Sequence, residues 1–291
     1  MDRITKKAYA KINLFLDVVS RYPDGYHEVR TVMQSVSLCD EVEIELCDKG
    51  IEITCDNEDV PTDSRNIAWK AVELFFAEVG SAYKTGVKID IKKRIPVAAG
   101  LAGGSTDAAA VLCGINELVG SPLSVERLLS LGSILGADVP FCMEGGTAYA
   151  DGKGDKLHRL GALEGYYFVV ACGGEGVSTP WAYRQLDTRF DNFSQGAYSP
   201  RDINTFKQSL ALGDLSGIYN VFEEAILPER PVSCQIKGTL RNEGALHALM
   251  SGSGPSVFGI FDDEKLAEKA ADEISSLGYF AQVATPVKKN F

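Results

Sequence analysis

The residues from 96 to 110 read Pro-Val-Ala-Ala-Gly-Leu-Ala-Gly-Gly-Ser-Thr-Asp-Ala-Ala-Ala, and this small-residue run limits what the chain can form there. It follows an alternating, strand-like segment (86–91) and leads into the helix-forming residues 108–112. A loop of this kind offers free backbone N–H groups beside the positive end of a helix dipole, an arrangement that binds anions, above all phosphate. Because Gly100, Gly103 and Gly104 have no side chains, a ligand can approach the backbone closely. The run therefore predicts a phosphate-binding loop.

The run matches neither of the two commonest phosphate-binding signatures. It lacks the Gly-Lys-Ser/Thr ending of a Walker loop and the G-x-G-x-x-G spacing of dinucleotide-binding folds. A flexible turn before a helix is the alternative, in which Ser105, Thr106 and Asp107 are ordinary N-cap residues. In the phosphate-binding interpretation, the hydroxyl groups of Ser105 and Thr106 reach phosphate oxygens or a magnesium ion, and Asp107 either caps the helix or helps to hold the metal.

The composition is that of an acidic globular protein. The 291 residues are enough for one large domain or two moderate ones, and the net charge of −11 argues against nucleic-acid or membrane-surface binding. No apolar run approaches a membrane span, and the N-terminal residues lack the apolar core of a signal peptide. The seven cysteines form no C-x-x-C pair, so we expect buried, reduced thiols in a cytoplasmic protein.

Residue patterns predict two α+β domains, residues 1–159 and 160–291, rather than a doubly wound sheet, because no regular βαβ alternation occurs. Strands are expected at 7–19, 41–46, 51–55, 86–91, 147–150, 166–171, 257–261 and 279–284, with the second and third forming a hairpin around Asp48-Lys49-Gly50. Helices are expected from 67, from 108, at 124–135, from 203 and at 264–277. The stretch 173–200 is expected to be irregular.

Three segments together resemble the motifs of the GHMP small-molecule kinases, the superfamily of galactokinase, homoserine kinase and mevalonate kinase. They are Ala10-Lys11-Ile12-Asn13-Leu14, the small-residue run and Ser251-Gly252-Ser253-Gly254-Pro255-Ser256. Two further segments are similar to those of one branch of the superfamily, the 4-diphosphocytidyl-2-C-methyl-D-erythritol kinases: Pro23-Asp24-Gly25-Tyr26-His27-Glu28 and Leu135-Gly136-Ala137-Asp138-Val139-Pro140-Phe141. The five matches occur in the family's order and extend over nearly the whole chain.

The resemblance implies a two-domain α+β GHMP kinase fold, with an N-terminal ATP-binding domain (ribosomal protein S5 domain 2-like) and a ferredoxin-like C-terminal domain. It implies phosphorylation of the 2-hydroxyl group of 4-diphosphocytidyl-2-C-methyl-D-erythritol by ATP and Mg²⁺, in the non-mevalonate route to isoprenoid precursors. The implied catalytic pair is Lys11 and Asp138. The implied ATP-binding residues are Asn66, Pro96, Val97, Ala98, Ala99, Gly100, Leu101, Ala102, Gly103, Gly104, Ser105 and Thr106. The implied substrate-binding residues are Asn13, Tyr26, His27, Thr179 and Tyr183.

Lys11 and Asp138 suit phosphoryl transfer to an alcohol, in which the protein mainly positions the reactants and neutralises charge. Asp138 follows a helix and precedes a Val-Pro step, and the proline is expected to keep Val139 extended. A carboxylate there can orient the attacking hydroxyl and accept its proton. The alternative is that Asp138 is only a residue of the turn that ends the helix. The ammonium of Lys11 is expected to lie between Asp138, the attacking hydroxyl and the γ-phosphate. The alternative is that Lys11 is a surface lysine at the edge of a strand.

The cytidine half of such a substrate requires aromatic faces and hydrogen-bonding edges. Tyr26 offers an aromatic ring, and His27 can donate and accept hydrogen bonds at the edge of a pyrimidine. The alternative is that Tyr26 packs in a strand and His27 is a turn residue. Tyr183 is expected to form the opposite face of a cytosine sandwich, with Trp181 as the competing candidate. Asn66 either lies on the adenine side of the nucleotide or caps the helix that follows it.

Some features of the sequence stay open at this point. Ala98, Ala99 and Ala102 stand where glycine is common in the family, and they are tolerable if their φ angles stay negative. The segment 251–256 is expected to brace the small-residue loop, and the charged runs 41–45 and 92–94 are expected to be solvated. A kinase of a sugar, mevalonate or homoserine, and a non-catalytic nucleotide-binding module, are the rival functions. Monomer and homodimer are both compatible with the sequence.

Overall fold

A computed structural model describes residues 2–80, 85–161, 163–193 and 198–291, which form eleven strands and nine α-helices. The strands are β1 (Arg3–Arg21), β2 (His27–Cys47), β3 (Ile51–Cys55), β4 (Gly86–Lys92), β5 (Thr147–Asp151), β6 (Lys156–Arg159), β7 (Tyr167–Cys172), β8 (Tyr219–Asn220), β9 (His247–Met250), β10 (Val257–Phe261) and β11 (Phe280–Ala284). The helices are α1 (Ile67–Val79), α2 (Gly103–Leu118), α3 (Val125–Leu135), α4 (Val139–Glu144), α5 (Thr179–Arg189), α6 (Ile203–Ala211), α7 (Phe222–Ile226), α8 (Pro231–Asn242) and α9 (Glu264–Ser276).

The first sheet is built around the long antiparallel pair of β1 and β2. Its strand order is β3-β4-β2-β1-β8, and β5 and β6 extend it from β2. The register of β1 against β2 shifts between Tyr9 and Lys11 and again between Asn13 and Phe15. Such irregularities increase the local twist and redirect side chains. They flank Lys11 and Asn13, the two residues of β1 that the sequence assigns to the site.

The hairpin predicted at residues 41–55 is wrong. Strand β3 pairs in parallel with β4, and β4 lies between β3 and β2. The inward side chains of β4, Val87, Ile89 and Ile91, are fully buried, whereas Ile53 is the one buried side chain of β3. The more apolar β4 therefore takes the inner position, and the less apolar β3 becomes the edge strand.

The second sheet has the order β11-β7-β10-β9 and is antiparallel throughout. With α8 before β9 and α9 before β11, it has the strand order and the helix placement of a ferredoxin-like unit, as the sequence predicts. The expectation of an irregular stretch at 173–200 is wrong for its middle part, where α5 buries Ala182 and Leu186. Pro180 falls in the first turn of α5, where a missing N–H is tolerated.

The two sheets are joined by backbone pairing as well as by packing. Strand β8 pairs in parallel with β1, and Pro286 bridges to Val36 of β2. One apolar core contains Phe15 of the first sheet together with Phe168 and Phe258 of the second. A predicted boundary between residues 159 and 160 stays a prediction, since short segments of the second half complete the first sheet.

Two loops from different halves of the chain interlock above this core, as the sequence predicts for the segment 251–256. We call residues 96–102 the glycine loop and residues 251–256 the bracing loop. The Ser251 hydroxyl donates to the Gly100 carbonyl oxygen over 3.0 Å, and the Ser256 N–H donates to the Ala99 carbonyl oxygen over 3.3 Å. The Val177 N–H donates to the Ala98 carbonyl oxygen over 3.1 Å. Three successive carbonyl groups of the glycine loop are thus held by the second half of the chain.

All seven cysteines are free, and Cys142 is the one that is fully buried. The expectation of buried thiols is therefore wrong for the others, of which Cys234 is exposed. Among the described helices, none combines the length and the apolar character that crossing a bilayer requires.

Gly100→Ala is expected to destabilise the protein strongly. Gly100 has a φ of +77°, and a Cβ added to it would overlap the carbonyl oxygen of Ser251. Gly120 is the matched control, because its φ is +89° and a Cβ added there would meet no atom within 4 Å. Gly120→Ala should cost the backbone strain alone, about 1–2 kcal/mol, and Gly100→Ala clearly more. Chemical denaturation measures both free energies of unfolding; equal losses would contradict the close approach of the two loops.

Candidate active site

A single large cavity collects most residues that the sequence assigns to a site. It has a volume of about 960 Å³ and lies between the glycine loop, the start of α1, the β1–β2 turn, the start of α5 and the bracing loop. Cavities of this size hold ligands as large as a nucleotide. Its walls come from both halves of the chain, so its shape depends on how the two halves pack.

Lys11 is buried beneath the glycine loop, so the surface-lysine alternative is wrong. Its Nζ donates to Asn13 Oδ1 over 2.7 Å and to the Gly100 carbonyl oxygen over 3.2 Å. The Nζ lies 3.9 Å from Asp138 Oδ2. Asn13 is itself held, because its Nδ2 donates to Thr31 Oγ1 over 2.8 Å. The ammonium therefore has a fixed position, with two of its donors engaged and its remaining charge next to Asp138.

Asp138 holds a half-buried carboxylate at the cavity wall. It is the N-cap residue of α4, but its side chain makes no capping hydrogen bond. The expectation that Pro140 keeps Val139 extended is wrong, because Val139 is the first residue of α4. Pro140 instead falls in the first helical turn, where its ring and its missing N–H are compatible with a helix. The short helix turns the carboxylate toward Lys11.

The glycine loop leads directly into α2, which begins at Gly103, five residues before the helix expected from residue 108. Ser105, Thr106 and Asp107 are consequently inside the first turns of α2, and the N-cap interpretation of these residues is wrong. The N-cap is Ala102, whose φ is 59°. The exposed N–H groups at the start of α2 line the cavity through Gly103, Gly104 and Ser105. This is the arrangement that favours an anion.

Two alanines of the glycine loop have the left-handed backbone that favours glycine. The φ angles are 52° at Ala98 and 59° at Ala102, so the condition of negative φ is not met at these two positions; Ala99 is not among the residues with positive φ. A left-handed residue with a Cβ costs about 1–2 kcal/mol. The interlocking hydrogen bonds described above hold the loop in this conformation.

Ten of the twelve predicted ATP-binding residues line the cavity. The exceptions are Leu101 and Thr106, whose side chains are buried. The Thr106 hydroxyl is enclosed without a hydrogen-bond partner, so it does not reach a phosphate group as expected. Helix α2 turns this side chain inward because Thr106 lies on its buried face, next to Ala109 and Ala110. Ser105 is the hydroxyl that borders the cavity.

A buried ion triad supports the start of α2. The Lys93 ammonium lies 2.6 Å from a carboxylate oxygen of Asp40 and 2.6 Å from one of Asp107. Asp40 also accepts hydrogen bonds from the backbone N–H groups of Arg94 (2.6 Å) and Ile95 (2.8 Å). The expectation that residues 92–94 are solvated is thus wrong for Lys93. Asp107 does not cap α2, and its carboxylate pairs with Lys93.

The triad contains two carboxylates for one ammonium. Burial and the neighbouring charge of Asp40 raise the pKa of Asp107 to about 7, although Lys93 lowers it. Burial lowers the pKa of Lys93, but the charges of Asp107 and Asp40 outweigh this and raise it. At neutral pH Asp107 is therefore only about half ionised, and less than one full excess negative charge is enclosed next to the glycine loop.

One end of the cavity lies between the β1–β2 turn and α5, and it contains the predicted aromatic residues. We call it the base end, because the sequence predicts that a nucleobase binds there. Tyr26 is 62% exposed, and the Lys153 ammonium lies 4.0 Å from its ring centroid. The rings of His27 and Tyr183 stack with centroids 4.6 Å apart, and burial raises the pKa of the Tyr183 hydroxyl. Trp181 does not line the cavity and packs partly buried against the core. The geometry therefore favours Tyr183 over Trp181, and the cytosine sandwich stays a prediction.

The other predicted ligand contacts also reach the cavity. Asn66 caps α1, because its Oδ1 accepts a hydrogen bond from the Ala68 N–H over 2.9 Å, and the capping interpretation is confirmed. Asn66 also lines the cavity, and its contact with adenine stays a prediction. Thr179 Oγ1 lies 3.2 Å from Ser253 Oγ of the bracing loop.

Several cavity residues have no counterpart among those predicted from the sequence. They include the charged residues Arg21, Asp59, Arg65, Lys93, Lys153, Arg184 and Asp187. Lys93 and Asp187 have partners 53 and 160 positions away in the chain, so no local spacing indicates their roles. The charged side chains of the whole lining are six basic ones and five acidic ones, so the cavity is much less acidic than the chain as a whole, which has a net charge of −11.

A comparison with protein-family models matches residues 66–146 to the GHMP kinases N terminal domain and residues 194–279 to the GHMP kinases C terminal domain. The chain is 44% identical to 4-diphosphocytidyl-2-C-methyl-D-erythritol kinase of Synechococcus sp. (strain JA-2-3B'a(2-13)), over 94% of this chain and 90% of that protein. It is 43% identical to the enzyme of the same name from Geobacter sulfurreducens (strain ATCC 51573 / DSM 12127 / PCA), over 97% and 98%.

Comparison with solved structures agrees with these sequence matches. A crystal structure of 4-(cytidine 5'-diphospho)-2C-methyl-D-erythritol kinase superposes with a TM-score of 0.81 at 32% identity, covering 97% of this chain and 99% of that one. The homoserine kinase of Cytophaga hutchinsonii superposes with a TM-score of 0.74 at 21% identity, covering 100% and 96%, which is a likeness of fold alone.

Asp107→Asn is expected to change how stability depends on pH. The folded chain binds the Asp107 proton more tightly than the unfolded chain, in which the pKa is 3.8. The contribution of this carboxyl group is therefore complete below about pH 4 and is lost as the pH rises through about 7. The free energy of unfolding of the unsubstituted protein, relative to Asp107→Asn, should fall between pH 4 and pH 8 in urea titrations.

Asp56→Asn is the control for this titration. Hydrogen bonds from the Lys93 N–H and the Arg94 guanidinium lower the pKa of the exposed Asp56 carboxyl below 3.8, so the contribution of Asp56 is already complete above about pH 4 and its difference should stay nearly constant between pH 4 and pH 8. A difference for Asp107→Asn that stays constant over this pH range would contradict the raised pKa of Asp107.

Proposed function

Because the chain belongs to the GHMP kinases, and within them to the family of 4-diphosphocytidyl-2-C-methyl-D-erythritol kinases, we propose that Lys11 and Asp138 transfer the γ-phosphoryl group of ATP to the 2-hydroxyl of the family's substrate. The family and the two-domain α+β fold expected from the five motifs are confirmed. The protein is an ATP-dependent small-molecule kinase of the methylerythritol phosphate pathway. The observation that carries the residue assignment is the 3.9 Å approach of the Lys11 ammonium to the Asp138 carboxylate beside the glycine loop.

The proposed step needs little covalent chemistry from the protein. The 2-hydroxyl oxygen forms a bond to the γ-phosphorus as the bond from this phosphorus to the β–γ bridging oxygen breaks, and the hydroxyl proton passes to Asp138. Asp138 orients the hydroxyl, and Lys11 neutralises charge on the moving phosphoryl group. Asn13 and the Gly100 carbonyl hold the ammonium in place, so no reorganisation of Lys11 is required during the step.

In this proposal, the phosphates of ATP lie at the start of α2 and its adenine lies toward Asn66. The backbone N–H groups of Gly103, Gly104 and Ser105 are the anion donors of this arrangement. Mg²⁺ is normally held by one or two protein oxygens together with phosphates and water, and it neutralises phosphate charge. Ser105 borders the cavity beside the phosphate position, so its hydroxyl fits this role, whereas the Asp107 carboxylate is committed to Lys93. The described residues contain no cluster of three metal-ligating side chains, which fits a metal held mainly by phosphates.

The cytidine part of the substrate is placed between Tyr26 and Tyr183, with His27 at the edge of the base. Asn13 and Thr179 lie nearer the reacting end, beside Lys11 and the bracing loop respectively. This aromatic end of the cavity supports a substrate with a base over mevalonate or homoserine, which have no ring to stack. The close approach of Lys11 and Asp138 likewise supports catalysis over mere nucleotide binding. The free cysteines support a reducing compartment, the cytoplasm.

A substrate panel tests the proposed function directly. The purified protein, given Mg-ATP, is expected to release ADP with 4-diphosphocytidyl-2-C-methyl-D-erythritol and not with mevalonate, homoserine or galactose. Phosphorus NMR of the product should show the new phosphomonoester on the 2-position of the methylerythritol. ADP release with any of the other three alcohols, but not with the CDP compound, would overturn the proposal.

Asp138→Asn is expected to lower kcat by roughly 10²–10⁴-fold, because the amide can accept no proton from the attacking hydroxyl. The side chain is half-buried and makes no capping bond, so the midpoint of unfolding should change little. Asp59→Asn removes the same charge from another part of the cavity wall and should keep most of the activity. Steady-state kinetics of both variants decide the matter; near-normal kcat in Asp138→Asn would remove this residue from the step.

A further inference from the structure

Asp187 of α5 is buried at the base end of the cavity and contacts His27 directly. Its Oδ1 lies 2.7 Å from His27 Nε2, and both side chains are almost fully enclosed. An ionised carboxylate can only accept a hydrogen bond, so the Nε2 atom must carry a proton. The pairing of a carboxylate with one imidazole nitrogen fixes which tautomer the neutral ring adopts.

The ring and the carboxylate are both held from several sides. Tyr183 stacks on the His27 ring with centroids 4.6 Å apart, and the edge of Phe193 approaches it at 5.8 Å. The Arg21 guanidinium lies 3.6 Å from the other carboxylate oxygen, Asp187 Oδ2. Neither His27 nor Asp187 can therefore turn freely, and the tautomer set by Asp187 is kept in a fixed orientation.

The opposite nitrogen of the same ring is left for a ligand. With the proton on Nε2, the Nδ1 atom of neutral His27 is a hydrogen-bond acceptor, and it has no partner among the described residues. His27 lines the cavity where the base of the substrate is placed. Cytosine carries an amino group, a donor, at the position where uracil carries a carbonyl oxygen, an acceptor.

We infer that Asp187 is a positioning residue that selects cytosine over uracil, because it keeps an acceptor at His27 Nδ1. The inference rests on the proposed function, in which His27 meets the edge of the base. A cytosine amino group donates to Nδ1, whereas the uracil carbonyl meets a second acceptor and leaves both atoms without a partner. A mismatch of this kind in an enclosed site disfavours the wrong ligand by a large factor.

Asp187→Asn is the variant that tests this selection. Arg21 can donate only to the amide oxygen, so the amide nitrogen is directed toward His27, and it donates to Nε2. The ring proton then moves to Nδ1, which becomes a donor. The ratio of kcat/KM for the CDP substrate to that for its UDP analogue is expected to fall by roughly tenfold or more. The loss should lie in KM for the CDP substrate rather than in kcat, since Lys11 and Asp138 are untouched.

Asp24→Asn is the matched control. Asp24 borders the same cavity and pairs with Lys153 over 2.8 Å, but it does not contact His27. This variant removes an equal charge and should leave the ratio of the two kcat/KM values unchanged. An Asp187→Asn ratio equal to that of the unsubstituted protein would overturn the inference, even if both substrates were turned over more slowly.

Nitrogen-15 NMR of the imidazole rings gives a second readout that does not depend on turnover. The chain has three histidines, so the His27 signals can be assigned with a His27→Asn variant. In the unsubstituted protein, at a pH where imidazole is neutral, Nε2 should have the shift of a protonated nitrogen and Nδ1 that of an unprotonated one. The reverse pattern would contradict the inference. Failure of the proposed function, by contrast, would appear as no turnover of the CDP substrate with this tautomer in place.

Discussion

The site depends on the hydrogen bonds that hold the glycine loop to the second half of the chain, above all the one from Ser251 of the bracing loop to the Gly100 carbonyl oxygen. The same carbonyl accepts from Lys11, so it fixes both the glycine loop and the ammonium. Because Lys11 is buried, its position is set by these few contacts and not by solvent. Packing of the second sheet against the first is therefore a condition for the geometry at the reacting end.

The phosphate end of the cavity shows how local strain is kept in place. Ala98 and Ala102 have left-handed backbone angles that cost free energy, yet the loop also begins α2 at the position where its N–H groups face the cavity. The ion triad of Lys93, Asp40 and Asp107 supports the start of α2, and the Val177 N–H donates to the Ala98 carbonyl oxygen. Strain of this kind persists where the surroundings determine the backbone completely, which is common at functional sites.

The cavity separates two kinds of recognition. In the proposed function, backbone N–H groups and lysines meet phosphate at one end, and phosphate is recognised by charge and needs no side-chain match. At the other end, Tyr26, Tyr183 and His27 are proposed to meet a nucleobase, whose identity is set by donor and acceptor positions. By the inference above, Asp187 acts on this second end through His27. Affinity for phosphate and selection of the base can therefore be changed by different residues.

The sequence by itself determined the family and the α+β class, and ten of the twelve residues that it assigns to ATP binding line the cavity, because short motifs carry their own backbone chemistry. It also indicated Lys11 and Asp138, although their residue types alone left plain alternatives. Only the tertiary structure decided the position of β3, the inward turn of Thr106 and the pairs Lys93–Asp107 and His27–Asp187. These depend on burial and on contacts between distant segments, and local spacing contains no information about either.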